Sequence, residues 1–121
     1  MQVVIVGLDV TQECEGHDRM NITAPGGQNA FVAEVCNAAS AAKKPCIVLV
    51  MAGSAVDIAI MEALPSVDAV MWVGYPGERG GEAIANAVFG AGGDQFGKLS
   101  YSIYKQAYLL RGIDIHNKSP I

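Results

Sequence analysis

Apolar positions along the chain fall into short blocks with two different periods. Val3 to Gly7 is an uninterrupted β-branched run closed by glycine, the pattern of a strand covered on both faces, where no side need be polar. Cys46 to Met51 and Ala69 to Val73 read the same way. Gln28 to Ala42 instead carries Phe31, Val35, Ala38, Ala39 and Ala42 opposite Glu34, Asn37 and Ser40, a helical stripe of period near 3.6. Lys43 and Lys44 suit the negative end of that helix, and Pro45 stops it. A short helix is expected over Ala55 to Leu64, starting near Val56 and ended by Pro65, and a third over Gly80 to Phe89 capped by Gly90. A glycine-rich loop, Ala91 to Gly97, precedes a last strand at Leu99 to Ile103, and Tyr104 to Ile121 is an unassigned tail. Strand and helix alternate four times with short links. That order predicts an α/β domain with a doubly wound, mostly parallel sheet of flavodoxin-like kind and right-handed crossovers.

Bulk properties narrow the setting. The length of 121 residues is one domain with a real core, here taken as residues 1–110 with a tail at 111–121. The charged fraction is 17% against roughly 25% for an ordinary soluble domain, and mean hydropathy is +0.30. This apolar excess implies strands buried on both faces and a further face that meets a partner domain. A net charge of −4 with scattered basic residues argues against nucleic acid as a partner. The longest apolar run, Cys46 to Ala52, falls far short of the roughly 20 residues that span a bilayer, so no membrane is expected. The opening MQVVIVGLDV lacks a basic flank and reads as a core strand rather than a signal peptide; a signal for secretion would have to lie upstream.

Cys14, Cys36 and Cys46 are odd in number and lack CxxC spacing, which argues against a disulfide framework or a zinc ribbon. Cys36 on a helix and Cys46 opening a strand read as buried small apolar groups, with their pairing left open. Asn21-Ile22-Thr23 is an N-glycosylation acceptor sequence, whereas Asn117-Lys118-Ser119 runs into Pro120 and is a poorer one.

Chemistry concentrates in one loop. Residues 11–25, TQECEGHDRMNITAP, follow the first strand and precede the first helix, the position at which open α/β sheets present ligand-binding groups. Glu13 and Glu15 are both candidate acids, and the residues alone allow each to be a solvated loop carboxylate. Cys14, Glu13, Glu15, His17 and Asp18 have ligand chemistry, but crowding in one short loop without a distant ligand pair is not a zinc site, so no metal is expected. Gly74 to Gly81 lies between strand and helix like a phosphate loop. Its spacing matches neither GxGxxG nor GxxxxGK[ST], and it reads as a structural turn, with a small-anion or nucleotide binder as the alternative. Tyr75, at a strand's carboxyl end, can line a cleft, whereas Trp72 reads as core. Asp9 and Asp57 read as turn braces.

Three blocks, VVIVGLDVTQECEGHDRMNITAPGGQ, KPCIVLVMAGSAVDI and VMWVGYPGERGGEAIANAVFG, resemble the C-terminal α/β sandwich domain of family 3 glycoside hydrolases, in the β-xylosidase and β-glucosidase branch. The resemblance covers roughly residues 3 to 108. It implies a retaining, exo-acting β-glycosidase of terminal β-linked sugars, with no cofactor, an oligosaccharide or aryl glycoside as substrate, and a secreted location. It implies further that the aspartate nucleophile sits on a separate N-terminal barrel, so this domain is a piece of a larger enzyme and is inactive alone. The family motif Glu-Gly-x-Asp-Arg falls on Glu15-Gly16-His17-Asp18-Arg19. By that match Glu15 is the acid/base, Glu13 the runner-up, and Asp18 and Arg19 brace the loop as a pair; His17 and Tyr75 are expected to face substrate. A neighbouring carboxylate favours the protonated form of a catalytic glutamate, and Glu13 is one source of such a field. The chain departs from the family at Gly93 to Ser100, where the usual Asn-Pro-Gly-Gly-Arg-Leu-Pro is absent. A noncatalytic sugar-binding or structural module is the reading from another class.

Overall fold

In a computed structural model that describes residues 1–91 and 97–109, three parallel strands form one sheet in the order β1-β2-β3. β1 is Gln2–Gly7, β2 is Cys46–Met51 and β3 is Ala69–Trp72. The helices are α1 (Gln28–Ala41), α2 (Ala59–Glu62), α3 (Gly80–Phe89) and α4 (Gln106–Leu109). Val4, Val48 and Val70 stand in register, as do Ile5, Leu49 and Met71, so alternate residues supply the two faces. Two crossovers running the same way along the sheet carry α1 and α2, which contact each other on one face. There Val4, Val6, Val48 and Val50 pack with Val32, Cys36, Ala39, Val56 and Met61 in a single core. α3 flanks the other face, where Ala83, Ile84 and Ala87 line a cavity with Met71 and Val73. The expected α/β class therefore stands, with helices on both faces.

β1 is an edge strand, which corrects the expectation of cover on both faces: Ile5 is 57% exposed. One rung of the free edge is closed locally. The Gln28 side-chain amide accepts from the Gly7 N–H at 2.7 Å and donates to the Gly7 carbonyl at 2.9 Å, as a neighbouring strand would.

The core stripe of α1 is Val32, Cys36 and Ala39, with Val35 packed against it, so of the predicted Phe31, Val35, Ala38, Ala39 and Ala42 only Val35 and Ala39 face inward. Phe31, Ala38 and Ala42 are exposed beside a groove along the helix, Phe31 at 52%. Both stripes are apolar, so periodicity could not choose between them. The geometry that does choose includes a disulfide: Cys36 and Cys46 are bonded, with Cα atoms 5.4 Å apart and both residues fully buried. Their reading as plain apolar fillers is corrected accordingly. The end of α1 behaves as predicted, with Lys43 at φ 56° in the left-handed position after the helix and Pro45 beyond.

Two further expectations change. α2 spans only Ala59–Glu62, because the residues before it are engaged elsewhere. The Asp57 N–H donates to the Ile22 carbonyl at 2.7 Å, and its carboxylate accepts the Ala59 N–H at 2.9 Å, so the helix starts only after this brace. The segment Leu99 to Ile103 is not a strand. It packs Tyr101 against Trp72, with ring centroids 5.2 Å apart and edge-on, and leads into α4. There Gln106 accepts from the Ile22 N–H at 2.7 Å and donates its own N–H to Asp57 at 2.6 Å. Most of the predicted glycine-rich loop, the second acceptor sequence at Asn117 and the tail from residue 110 lie outside the described residues.

Two measurements test the cross-link. Alkylation without reductant should label the exposed Cys14 and spare Cys36 and Cys46. Cys36→Ala should lower the unfolding free energy by about 2–3 kcal/mol in urea, the loss expected for a loop of this size.

Candidate active site

The loop after β1 is built by its own short polar side chains. The Asp9 carboxylate accepts from the Thr11 N–H at 2.8 Å and the Thr11 hydroxyl at 2.6 Å, and these bonds hold it below the usual carboxylate range. Cys14 and His17 then exchange backbone hydrogen bonds of 3.1 and 2.9 Å. This closes a four-residue turn with Glu15 and Gly16 at its tip. Gly16 takes φ +77° with open space beside it, the third turn position at which a side chain is disfavoured. Glu15 is exposed. The spacing Glu-Gly in the motif is thus a carboxyl group beside the glycine that lets the chain reverse.

Arg19 anchors the loop, but not through Asp18 as expected. Because the turn folds the chain back, residues before Cys14 lie beside those after His17, and the Arg19 Nε donates to Glu13 Oε2 at 3.0 Å. Its Nη2 donates to Ser54 Oγ at 3.1 Å and to the Ala55 carbonyl at 2.7 Å, and its Nη1 to the Asn21 carbonyl at 3.3 Å. The Arg19 side chain is only 9% exposed and that of Glu13 23%, so Glu13 is no free surface charge. Partial burial pushes the Glu13 carboxyl up, but the Ser54 hydroxyl and the Arg19 guanidinium outweigh it and leave it below the usual range. Asp18 stays exposed.

The remaining candidates sit around this loop. His17, Asp18, Arg19 and Asn21 line an open cleft of about 520 Å³. Asn21 is exposed, and its side-chain oxygen accepts from both the N–H and the hydroxyl of Thr23 at 2.8 Å. Tyr75 donates its hydroxyl to the Leu8 carbonyl at 3.2 Å, and its ring lies so close over Gly53 that a Cβ there would come within 2.7 Å. Its ring is therefore held over the carboxyl ends of β1 and β2 while the residue stays 57% exposed. The turn at Gly74 to Gly81 has φ of 62° at Gly74 and 66° at Gly77, and Arg79 is paired with Glu82 on α3, the geometry of a turn leading into a helix.

Sequence reasoning missed Ser54 and Tyr101. Burial, and then the Glu13 charge, raise the Tyr101 hydroxyl above the usual tyrosine range. Ser54 had a usable signal: it follows β2, the strand beside β1, and loops at the carboxyl ends of adjacent parallel strands are neighbours. Tyr101 was hidden by the strand-like look of its segment.

Comparison with known proteins identifies the class: the Glycosyl hydrolase family 3 C-terminal domain matches residues 1–119, and the chain belongs to that family. It is 40% identical over 107 residues to Beta-xylosidase/alpha-L-arabinofuranosidase 2 of Medicago sativa subsp. varia, covering 88% of this chain and 13% of that protein. Identity to Beta-D-xylosidase 3 of Arabidopsis thaliana is also 40% over 107 residues, with the same coverage of 88% and 13%. A solved structure of a GH3 exo-beta-xylosidase (XlnD) in complex with a xylobiose aziridine activity based probe superposes with TM-score 0.67 at 37% identity. That match covers 74% of this chain and 11% of the solved one. The chain thus spans about 13% of the length of the curated relatives it matches.

Two outcomes follow from the loop. Gly16→Ala should cost about 1 kcal/mol in urea unfolding, because alanine is disfavoured at this backbone angle. Glu13 binds its proton less readily folded than unfolded, so its contribution to stability is full above the ordinary glutamate pKa of about 4.3 and is lost as the pH falls through the lower folded value. The stability gap between the parent protein and Glu13→Gln, followed by urea midpoint against pH, should therefore close on acidification.

Proposed function

We propose that this domain supplies the general acid/base of a retaining, exo-acting β-xylosidase, and that Glu15 is the group. The observation that carries this reading is the exposed position of Glu15 at the tip of the closed Cys14 to His17 turn, on the motif glutamate of the family. In the first step Glu15 gives its proton to the glycosidic oxygen while the bond to the anomeric carbon breaks and a second carboxylate attacks that carbon. In the second step Glu15 removes a proton from the water that displaces this carboxylate. The nucleophile belongs to a barrel domain of the same polypeptide, so the domain alone does not turn over substrate. The xylosidase names of the relatives favour xylose over glucose as the terminal sugar, and β-glucosidase is the alternative. His17, in the cleft beside the turn, and the Tyr75 ring over the strand ends contact the sugar chain.

Secretion is part of this reading, and the Cys36–Cys46 disulfide supports it, since such bonds persist in oxidising compartments. Asn21 would carry an N-linked glycan there. Among the described residues no helix is long and apolar enough to cross a membrane.

In the full-length enzyme, Glu15→Gln should lower kcat on xylobiose by about 10²- to 10⁴-fold, the usual worth of a positioned acid/base. Azide should restore turnover of an aryl xyloside by Glu15→Ala and yield the glycosyl azide. Unchanged hydrolysis of xylobiose by Glu15→Gln would refute the assignment.

A further inference from the structure

We infer that Glu13, Arg19 and Ser54 are the positioning residues of the acid/base, a closed clamp that fixes the two feet of the Glu15 turn to the loop after β2. The inference rests on the assignment of Glu15 above. It separates the two glutamates of the loop by role, and it adds a residue from outside the loop.

The clamp is a closed ring of hydrogen bonds. The Ser54 hydroxyl donates to Glu13 Oε2 at 2.6 Å and accepts from Arg19 Nη2 at 3.1 Å, while Arg19 Nε donates to the same Glu13 oxygen at 3.0 Å. Arginine can only donate, so a serine lone pair is used by Arg19. With the Ser54 hydroxyl and the Arg19 guanidinium both turned to its Oε2, Glu13 is favoured as the anion, which makes it the poorer proton donor of the two glutamates.

Position along the chain converts this ring into control of Glu15. Glu13 stands one residue before the Cys14 to His17 turn and Arg19 two after it. The turn itself is closed by its paired backbone bonds of 3.1 and 2.9 Å. Both feet therefore meet at Ser54, on the loop that follows the strand beside β1. The backbone at Glu15 is thereby held between two fixed feet. Burial is distributed to match: the Arg19 side chain is 9% exposed, whereas Glu15 stands in solvent. Removing one member leaves a guanidinium or carboxylate partly buried without its partner, and the local chain must move to rehydrate it.

The test uses the full-length enzyme and two substrates. Xylobiose needs a proton on its leaving oxygen; dinitrophenyl β-xyloside does not for its first step. Ser54→Ala and Glu13→Gln should each lower kcat on xylobiose by about 10- to 100-fold, the scale of a displaced catalytic group, while the burst of dinitrophenol release keeps its rate. Ser54→Thr, which keeps the hydroxyl, should restore turnover of xylobiose. Azide should accelerate Glu15→Ala and leave Glu13→Ala unaffected, because the latter retains its acid/base. Glycosyl azide formed by Glu13→Ala would overturn the inference by making Glu13 the acid/base. Full xylobiose turnover by Ser54→Ala would overturn it too, as would an equal loss on both substrates together with a lower melting temperature, the mark of a merely structural role. Failure of the Glu15 assignment reads differently, as undiminished activity of Glu15→Gln.

Discussion

A partly buried guanidinium has to find acceptors for its donors, and the way Arg19 meets that demand organises the functional end of this domain. Its fork joins Glu13, the Asn21 carbonyl, the Ser54 hydroxyl and the Ala55 carbonyl. Those acceptors lie at the start and end of the first long loop and on the loop after the neighbouring strand. Water could satisfy the same donors if the loop were open, so the bonds are individually modest. Their joint effect is conformational: they leave the chain between them one short path, which is the turn that carries Glu15.

That arrangement depends on the sheet beneath it. Adjacent parallel strands bring successive loops to the same carboxyl edge, so a serine after β2 can complete a site that begins after β1. The Cys36–Cys46 bond fastens α1 to β2, and the core of Val4, Val6, Val48 and Val50 holds β1 in register beside it. Tyr75, spanning from β3's side to the Leu8 carbonyl, and the segment through Tyr101 and Gln106 close over the same edge.

Much of this was legible in the sequence because the strands are nearly pure apolar runs and the helices are followed by clear stops such as Pro45 and Gly90. The family was legible too, from three long blocks of residues. Other features depended on the third dimension. The Glu13 to Arg19 pairing follows from a chain reversal that spacing does not reveal, so Asp18, nearer in sequence, looked the better partner. The facing of α1 was ambiguous because it has two apolar stripes, and the disulfide could not be read from an odd number of thiols. Leu99 to Ile103 alternates like a strand, yet among the described residues it pairs with no strand and places Tyr101 against Trp72 instead.

The Gln28 amide also bears on the open side of the sheet. It occupies the outward peptide group of Gly7, and by the alternation of a parallel ladder Val3 and Ile5 present the same groups along the edge. Among the described residues, only the Val3 carbonyl of these has a local donor, the Gln2 side chain at 3.3 Å. Among the described residues nothing else pairs with that seam, so a lone copy of this domain would offer it to an extended chain, with no lysine or proline along β1 as a deterrent. Recombinant handling should accordingly treat the isolated domain as prone to stacking through β1, and a charged residue in place of Ile5 as the simplest guard against it.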